Sequence, residues 1–284
     1  GVDVEAVEGT AVITGCTSGI GEAITKRLHD DVGLTIICLS RSAKKMSDLK
    51  AANGFDNFVG VKCDLSDLSS VKVAVKQVKA ILSSRGGKKI DYMINNAGMH
   101  YGPGRVRDFS AEERARATTK QGYDQVFAAN YLGHFGLTHA LIDSVTKGTG
   151  RVIQVSSSYH WHSDGEMLRR KSEKRDTVLD APIAAIGRTT NDSDTPRVKD
   201  LSYGNSKLAQ ILHARHLGKL HPEIAVASVC PSWVGTNIVN PKFRILNRLV
   251  NFLAFDVDSD GILSTLLGVL HPDVRSGDFL TNTR

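Results

Sequence analysis

Ala11-Val12-Ile13-Thr14 runs directly into Gly15-Cys16-Thr17-Ser18-Gly19-Ile20-Gly21, and Glu22-Ala23-Ile24-Thr25-Lys26-Arg27-Leu28 follows. The first four residues are an apolar, partly β-branched run that reads as a buried strand. The last seven have helical spacing. A strand, a glycine-rich turn and a helix in that order form a cradle for phosphate. Glycine lets the backbone come close to a pyrophosphate, and the amides and dipole at a helix start favour the anion. The spacing here is Gly-x-x-x-Gly-x-Gly and not Gly-x-Gly-x-x-Gly, so the dinucleotide fingerprint applies by mechanism only. Gly15, Thr17, Ser18, Gly19, Ile20 and Gly21 are therefore candidate binding residues; a plain structural turn would carry the same letters.

Downstream, apolar strands keep recurring with helical stretches between them, as far as Ile224-Ala225-Val226-Ala227-Ser228-Val229. This alternation predicts an α/β fold, a Rossmann-like doubly wound parallel sheet with helices on both faces. No internal repeat or low-complexity tract interrupts it. The 284 residues, 41% of them hydrophobic, suffice for one large domain with a sizeable core. The second strand, Leu34-Thr35-Ile36-Ile37-Cys38-Leu39, ends at Ser40-Arg41-Ser42. In nucleotide folds the residue past this strand meets the adenosine ribose, where an acid accepts bonds from the 2′-hydroxyl of NAD. Arg41 holds that place. A permanently charged guanidinium suits a 2′-phosphate, so NADP(H) is the expected cofactor, with NAD(H) as the alternative.

Tyr203-Gly204-Asn205-Ser206-Lys207 carries the chemistry. Positions i and i+4 share one helix face, so the phenol and the ammonium can meet the same small space. A nearby cation favours phenolate over phenol, which predicts a Tyr203 acidic enough to give and take a proton near neutral pH.

With these residues the chain resembles the short-chain dehydrogenase/reductase family over nearly its whole length. Thr14-Gly15-Cys16-Thr17-Ser18-Gly19-Ile20-Gly21 looks like the family's cofactor turn. Asp64, after Val59-Gly60-Val61-Lys62-Cys63, matches the aspartate beside the adenine ring, and Asn95-Asn96-Ala97-Gly98 the central-strand motif. Asn130 matches the helix asparagine of the catalytic tetrad and Ser157, after Arg151-Val152-Ile153-Gln154-Val155, the catalytic serine. Pro231 and Thr236 match the loop at the nicotinamide end. The resemblance implies that Asn130, Ser157, Tyr203 and Lys207 are catalytic, and that Asn96, Ala97, Gly98, Tyr203 and Lys207 also contact cofactor. Hydride would pass between nicotinamide and a carbonyl carbon while Tyr203 exchanges a proton with the oxygen. Ser157 would bond that oxygen, Lys207 would acidify the phenol and touch the nicotinamide ribose, and Asn130 would hold a water linking Lys207 to solvent.

The sequence departs from the family pattern in two places. Ser232 stands where the loop after Pro231 usually has glycine. Ser157 and Tyr203 are separated by a stretch, 159–201, longer than in the family's minimal members. That insertion contains Arg169-Arg170-Lys171-Ser172-Glu173-Lys174-Arg175 and a polar run through Pro196, the composition of a surface loop or lid. Its basic run suits an acidic substrate or a membrane head group, although charge runs are usually solvated. His160, His162, Asp164 and Glu166 read as no metal site, since this chemistry needs none and no matching downstream ligands follow.

Beyond Thr236, within a substrate region spanning 237–270, Ile245, Leu246, Leu249, Val250, Phe252, Leu253 and Phe255 make an amphipathic helix. Substrate closure, core packing, a homo-oligomer contact and peripheral membrane contact all fit that pattern. The formal charge of +6 has a sufficient cause in a cofactor bearing several phosphates, and nothing resembles a nucleic-acid module. Cys16, Cys38, Cys63 and Cys230 all fall in or beside strands, which predicts free thiols in a reducing, intracellular compartment, cytoplasmic or organellar. Residues 1–9 lack a signal peptide's pattern, with a removed targeting or anchor segment left open. Within the family, Asn130-Tyr131-Leu132-Gly133-His134-Phe135 and Tyr203-x-x-Ser206-Lys207-Leu208-Ala209 look most like the retinol dehydrogenase and WW-domain oxidoreductase branch. The expected activity is interconversion of a lipophilic alcohol and its aldehyde or ketone. A light-dependent protochlorophyllide-reductase-like enzyme and a non-catalytic dinucleotide-sensing scaffold are the alternatives.

Overall fold

A computed structural model of the chain describes residues 9–101, 111–163, 165, 168, 201–231, 257 and 260–282. Strands β1 (Thr10–Thr14), β2 (Thr35–Ser40), β3 (Phe58–Lys62), β4 (Tyr92–Asn95), β5 (Arg151–Val155), β6 (Ala225–Cys230) and β7 (Phe279–Thr281) form one sheet. Every neighbouring pair is parallel, in the order β3-β2-β1-β4-β5-β6-β7. The chain therefore reverses its direction of travel across the sheet between β1 and β4. In open sheets of this kind ligands bind outside the carboxyl ends of the strands at that reversal.

Helices α1 (Gly19–Asp30), α2 (Ala43–Asn53), α3 (Leu68–Ser84), α4 (Gly133–Leu141), α5 (Ser202–Leu220) and α6 (Leu263–Leu270) cover the sheet. Strand alternation divides the core between its two faces. Ala11, Ile13, Ile36 and Cys38 pack with Ala23, Ile24 and Leu28 of α1, Met46 and Leu49 of α2, and Val269 of α6. Val12, Ile37, Leu39 and Met93 point the other way, onto Val71, Val75 and Val78 of α3, Leu137 of α4 and Leu217 of α5. Each fully buried Val, Leu or Ile contributes roughly 1.5–3 kcal/mol, so both helical layers are held by the sheet they cover. Short polar residues start two of the helices. The Ser42 side chain accepts from Lys45 N at the head of α2, and that of Asp67 accepts from Ser69 N at the head of α3. The doubly wound fold is the one that the strand and helix alternation predicts.

Two features differ from the sequence expectation. Cys16 and Cys38 are joined in a disulfide, with Cα atoms 5.7 Å apart, whereas Cys63 and Cys230 are buried free thiols as expected. The cause is the parallel register: β1 and β2 lie side by side with Ile13 opposite Cys38, and the turn after β1 folds Cys16 back towards β2. The second is β7, which extends the sheet beyond β6 and which no apolar run announces. It has three residues, none of them buried.

Thr236 and the amphipathic stretch 245–255 lie outside the described residues. Of the insertion 159–201 only 159–163, 165, 168 and 201 are described, and of the region 237–270 only 257 and 260–270. Among the described residues no helix is long and apolar enough to cross a membrane.

Candidate active site

The turn after β1 is built for close approach. Gly15 and Gly19 have φ of +68° and +53°, a region open to glycine at little cost. A Cβ on Gly15 would stand 2.9 Å from the Cα of Ala97, and one on Gly21 would stand 2.2 Å from the Gly15 carbonyl oxygen. The turn, the start of α1 and the Asn96-Ala97 backbone are thus in backbone contact. Ser18 precedes α1 with extended backbone, and its side chain makes no capping bond. The first-turn amides of α1 therefore keep their affinity for an anion, and the residues present fit a dinucleotide pyrophosphate.

The remaining cradle residues gather at the same edge of the sheet. Asn96 Nδ2 donates to the Thr14 carbonyl at 2.9 Å, and the Thr14 hydroxyl accepts from the backbone N–H groups of Asn96 and Ala97, each at 3.0 Å. The hydroxyls of Thr17 and Ser40 are 3.1 Å apart, linking the turn to the end of β2, beyond which Arg41 is exposed. Asp64, just past β3, accepts from the backbone N and hydroxyl of Ser66 at 3.0 and 2.7 Å. Ile20 packs against the core on the α1 side, Gly98 is exposed, and the Pro231 carbonyl accepts from Asn282.

Asn130 sits in a single π-helical turn, Ala128–Leu132, that leads into α4. Such turns widen the helix locally and are frequent at functional sites. Its amide is fully engaged by protein: Oδ1 accepts from Met99 N at 2.8 Å, while Nδ2 donates to the Met99 carbonyl at 3.0 Å and to Ser206 Oγ at 3.1 Å. Ser206 in turn donates to the Tyr203 carbonyl at 2.7 Å. Lys207 is buried, and its Nζ donates to the Val155 carbonyl at 2.8 Å and to Gln210 Oε1 at 3.0 Å. Val155 is the last residue of β5, so this bond pins α5 to the strand end from which Ser157 projects. Ser156 reinforces it by donating to the Lys207 carbonyl at 2.8 Å. Ser157, Tyr203, Lys207 and Asn130 are thereby brought together beside the cradle.

The electrostatics of the pair differ from the sequence expectation. Burial pushes the Tyr203 phenol up to about 12, with a hydrogen bond from Ser157 working against it. Burial also pushes Lys207 down to about 7. The phenol is therefore not acidified by the lysine in this state. Lys207 Nζ lies 5.6 Å from the Tyr203 ring centroid and is committed to Val155 and Gln210, so desolvation of each group outweighs their mutual attraction.

Four neighbours were not picked out by sequence reasoning. Gln210 holds the lysine and is marked only by its i+3 spacing. His100, two residues past Gly98, sets its ring edge-on to Tyr203 with centroids 4.8 Å apart, and Tyr159 packs edge-on to the same ring at 5.6 Å, beside His100. His134 lies fully buried between Asn130 and Thr14, one helical turn after Asn130.

A family model described as short chain dehydrogenase matches residues 9–163. This chain belongs to the short-chain dehydrogenase family. The short-chain dehydrogenases are oxidoreductases that use nicotinamide dinucleotides, NAD(P)(H), and the retinol dehydrogenase branch expected from the sequence is borne out among the relatives. The polyprenol dehydrogenase of Homo sapiens is 26% identical, over 96% of this chain and 77% of its own length. Retinol dehydrogenase 13 of Mus musculus is 28% identical over 59% of this chain and 47% of its own length. Among solved structures, the 3-ketoacyl-(acyl-carrier-protein) reductase from Brucella melitensis, complexed with NADH, superposes with a TM-score of 0.65 at 21% identity, covering 96% of each chain. That likeness carries the fold.

Proposed function

We propose that this short-chain dehydrogenase interconverts a lipophilic alcohol and its aldehyde or ketone with NADP(H) as hydride carrier. The observation that carries the reading is the Tyr203 phenol one helical turn from a buried Lys207, which is bonded to the end of β5 two residues before Ser157, next to a turn suited to pyrophosphate. When bound, the dinucleotide supplies or accepts the hydride. Tyr203 gives the substrate oxygen a proton in reduction and takes it back in oxidation. Ser157 donates to the same oxygen and stabilises the charge that develops on it. Lys207 is depressed towards neutrality by burial, and when it carries its proton it would lower the phenol.

Arg41, exposed at the end of β2, supports the 2′-phosphate and hence NADP(H). The aromatic edges of His100 and Tyr159 around Tyr203, with Trp161 largely exposed two residues beyond Tyr159, support an apolar substrate. The names of the retinol and polyprenol dehydrogenases favour the same class of alcohol. The test is a panel of long-chain and isoprenoid aldehydes and ketones incubated with NADPH, read by loss of reduced-nicotinamide absorbance in wild type and in Tyr203→Phe. Turnover in wild type, lost in Tyr203→Phe while NADPH still binds, is the expected result. Equal turnover in the two proteins rejects the proton role. NADPH binding without turnover across the panel favours a dinucleotide sensor.

A further inference from the structure

We propose that His134 is a positioning residue that ties Asn130 to the cofactor turn, so that the cradle and the proton-handling residues hold their geometry together. The inference rests on the dinucleotide reading of the cradle.

His134 is completely buried, and both of its ring nitrogens are bonded. Nδ1 lies 2.7 Å from the Asn130 carbonyl oxygen and Nε2 lies 2.8 Å from Thr14 Oγ1. A carbonyl oxygen can only accept, so Nδ1 carries the proton. The neutral imidazole then presents a lone pair at Nε2. The partner on that side is consistent: Thr14 Oγ1 already accepts from the N–H groups of Asn96 and Ala97, which leaves its own proton for Nε2. The one other acceptor near that proton, the Ile94 carbonyl, is at 3.5 Å. Burial lowers the imidazole to about 4, which keeps this neutral tautomer across the physiological range.

This orientation links four segments distant in sequence. Thr14 closes β1 and opens the turn. Ala97 carries the backbone against which Gly15 is packed, and Asn96 the side-chain amide against which Gly21 is packed. Asn130 locks Met99 and Ser206, and Ser206 holds the helix turn of Tyr203. The ring stands just past the π-helical turn 128–132, four residues after the carbonyl that it meets. A displacement of the turn is transmitted through one ring to the Asn130 backbone, and the reverse.

The two bonds separate by mutation. Asparagine places an amide where Nδ1 was and can donate to the Asn130 carbonyl; glutamine reaches the place of Nε2 and can accept from Thr14. We expect His134→Leu to weaken NADPH binding, measured calorimetrically, and to lower kcat, each roughly tenfold, as a buried hydrogen bond left half-made would. His134→Gln recovers the dissociation constant but not kcat, and His134→Asn recovers kcat but not the dissociation constant. In the ligand-free protein, amide hydrogen exchange at Asn96 and Ala97 quickens in His134→Leu and His134→Asn, and returns towards wild type in His134→Gln. The proposal is overturned if the two amides behave alike, whether both rescue or both fail, since a packing role would not distinguish them. It is equally overturned if His134→Leu stays within twofold of wild type in binding and exchange. Should wild type bind NADPH but turn over no carbonyl, the catalytic reading fails, while the binding and exchange comparison still decides the role of His134.

Discussion

Gly21→Ala is the substitution for which the cradle makes the sharpest demand. In the interior of an ordinary helix the change would stabilise by ~1 kcal/mol, because alanine has less backbone freedom to lose. Here the new Cβ would lie 2.2 Å from the Gly15 carbonyl oxygen, 2.4 Å from Asn96 Nδ2 and 2.9 Å from the Gly15 carbonyl carbon. Two of the three are backbone atoms and cannot rotate away, and Asn96 is held by its bond to the Thr14 carbonyl. The head of α1 and the turn must therefore part by about 1 Å, at the upper end of the ~1–3 kcal/mol that overpacking costs. The net is a destabilisation of roughly 1–2 kcal/mol, a melting temperature lower by ~2–8 °C. The same movement draws the α1 amides away from the pyrophosphate, and NADPH affinity falls at least about tenfold, the loss of one charge-assisted bond. Gly136→Ala is the control, since its Cβ would meet only Val71 Cγ1 at 4.0 Å. It should melt at or above the wild-type temperature and bind normally. Calorimetric titration and thermal melting read both. A Gly21→Ala protein that binds NADPH as wild type does would refute the close-packed cradle.

Two further perturbations separate charge from packing. Lys207 is held near 7 in the native state but titrates near its ordinary value of 10.5 when unfolded, so between those values the unfolded chain binds more protons and native stability rises with pH. Lys207→Met lacks this rise: its melting temperature should exceed wild type by most at or below pH 7, with the gap closing towards pH 10, and a gap independent of pH contradicts the assigned burial. Arg41→Asp should weaken NADPH roughly ten- to hundredfold and spare NADH, by removing a charge-assisted phosphate contact and adding a repulsive one; unchanged NADPH affinity removes Arg41 from the site.

The comparison of sequence with structure divides along a physical line. Central strands were legible because a parallel strand buried on both faces must be a continuous apolar run, as Ala11–Ile13 and Ile36–Leu39 are. The edge strand β7 was not, because its three residues remain accessible and need no such run. The i,i+4 spacing of Tyr203 and Lys207 correctly placed two side chains on one helix turn, yet spacing says nothing about solvent. Burial set both ionisation equilibria, in directions opposite to those of a solvated pair. The Cys16–Cys38 bond depends on which strands become neighbours and in what register, information held by the sheet and absent from either cysteine's local context. His134 was visible only as a letter in a motif. Its meaning required the contact with Thr14, 120 residues away, for which the sequence carries no periodic signal.

The sulfur bridge has a consequence for how the nucleotide half of the molecule meets its ligand. It fastens the first glycine-rich bend to the adjoining strand across a span of 22 residues, and neither sulfur-bearing side chain is accessible to solvent. A bend anchored in this way cannot fray without dragging the sheet with it, so fewer disordered conformers compete with the one that, on the proposed function, would receive the diphosphate. The entropy of ordering that segment is then settled when the chain folds, and association has less of it to supply.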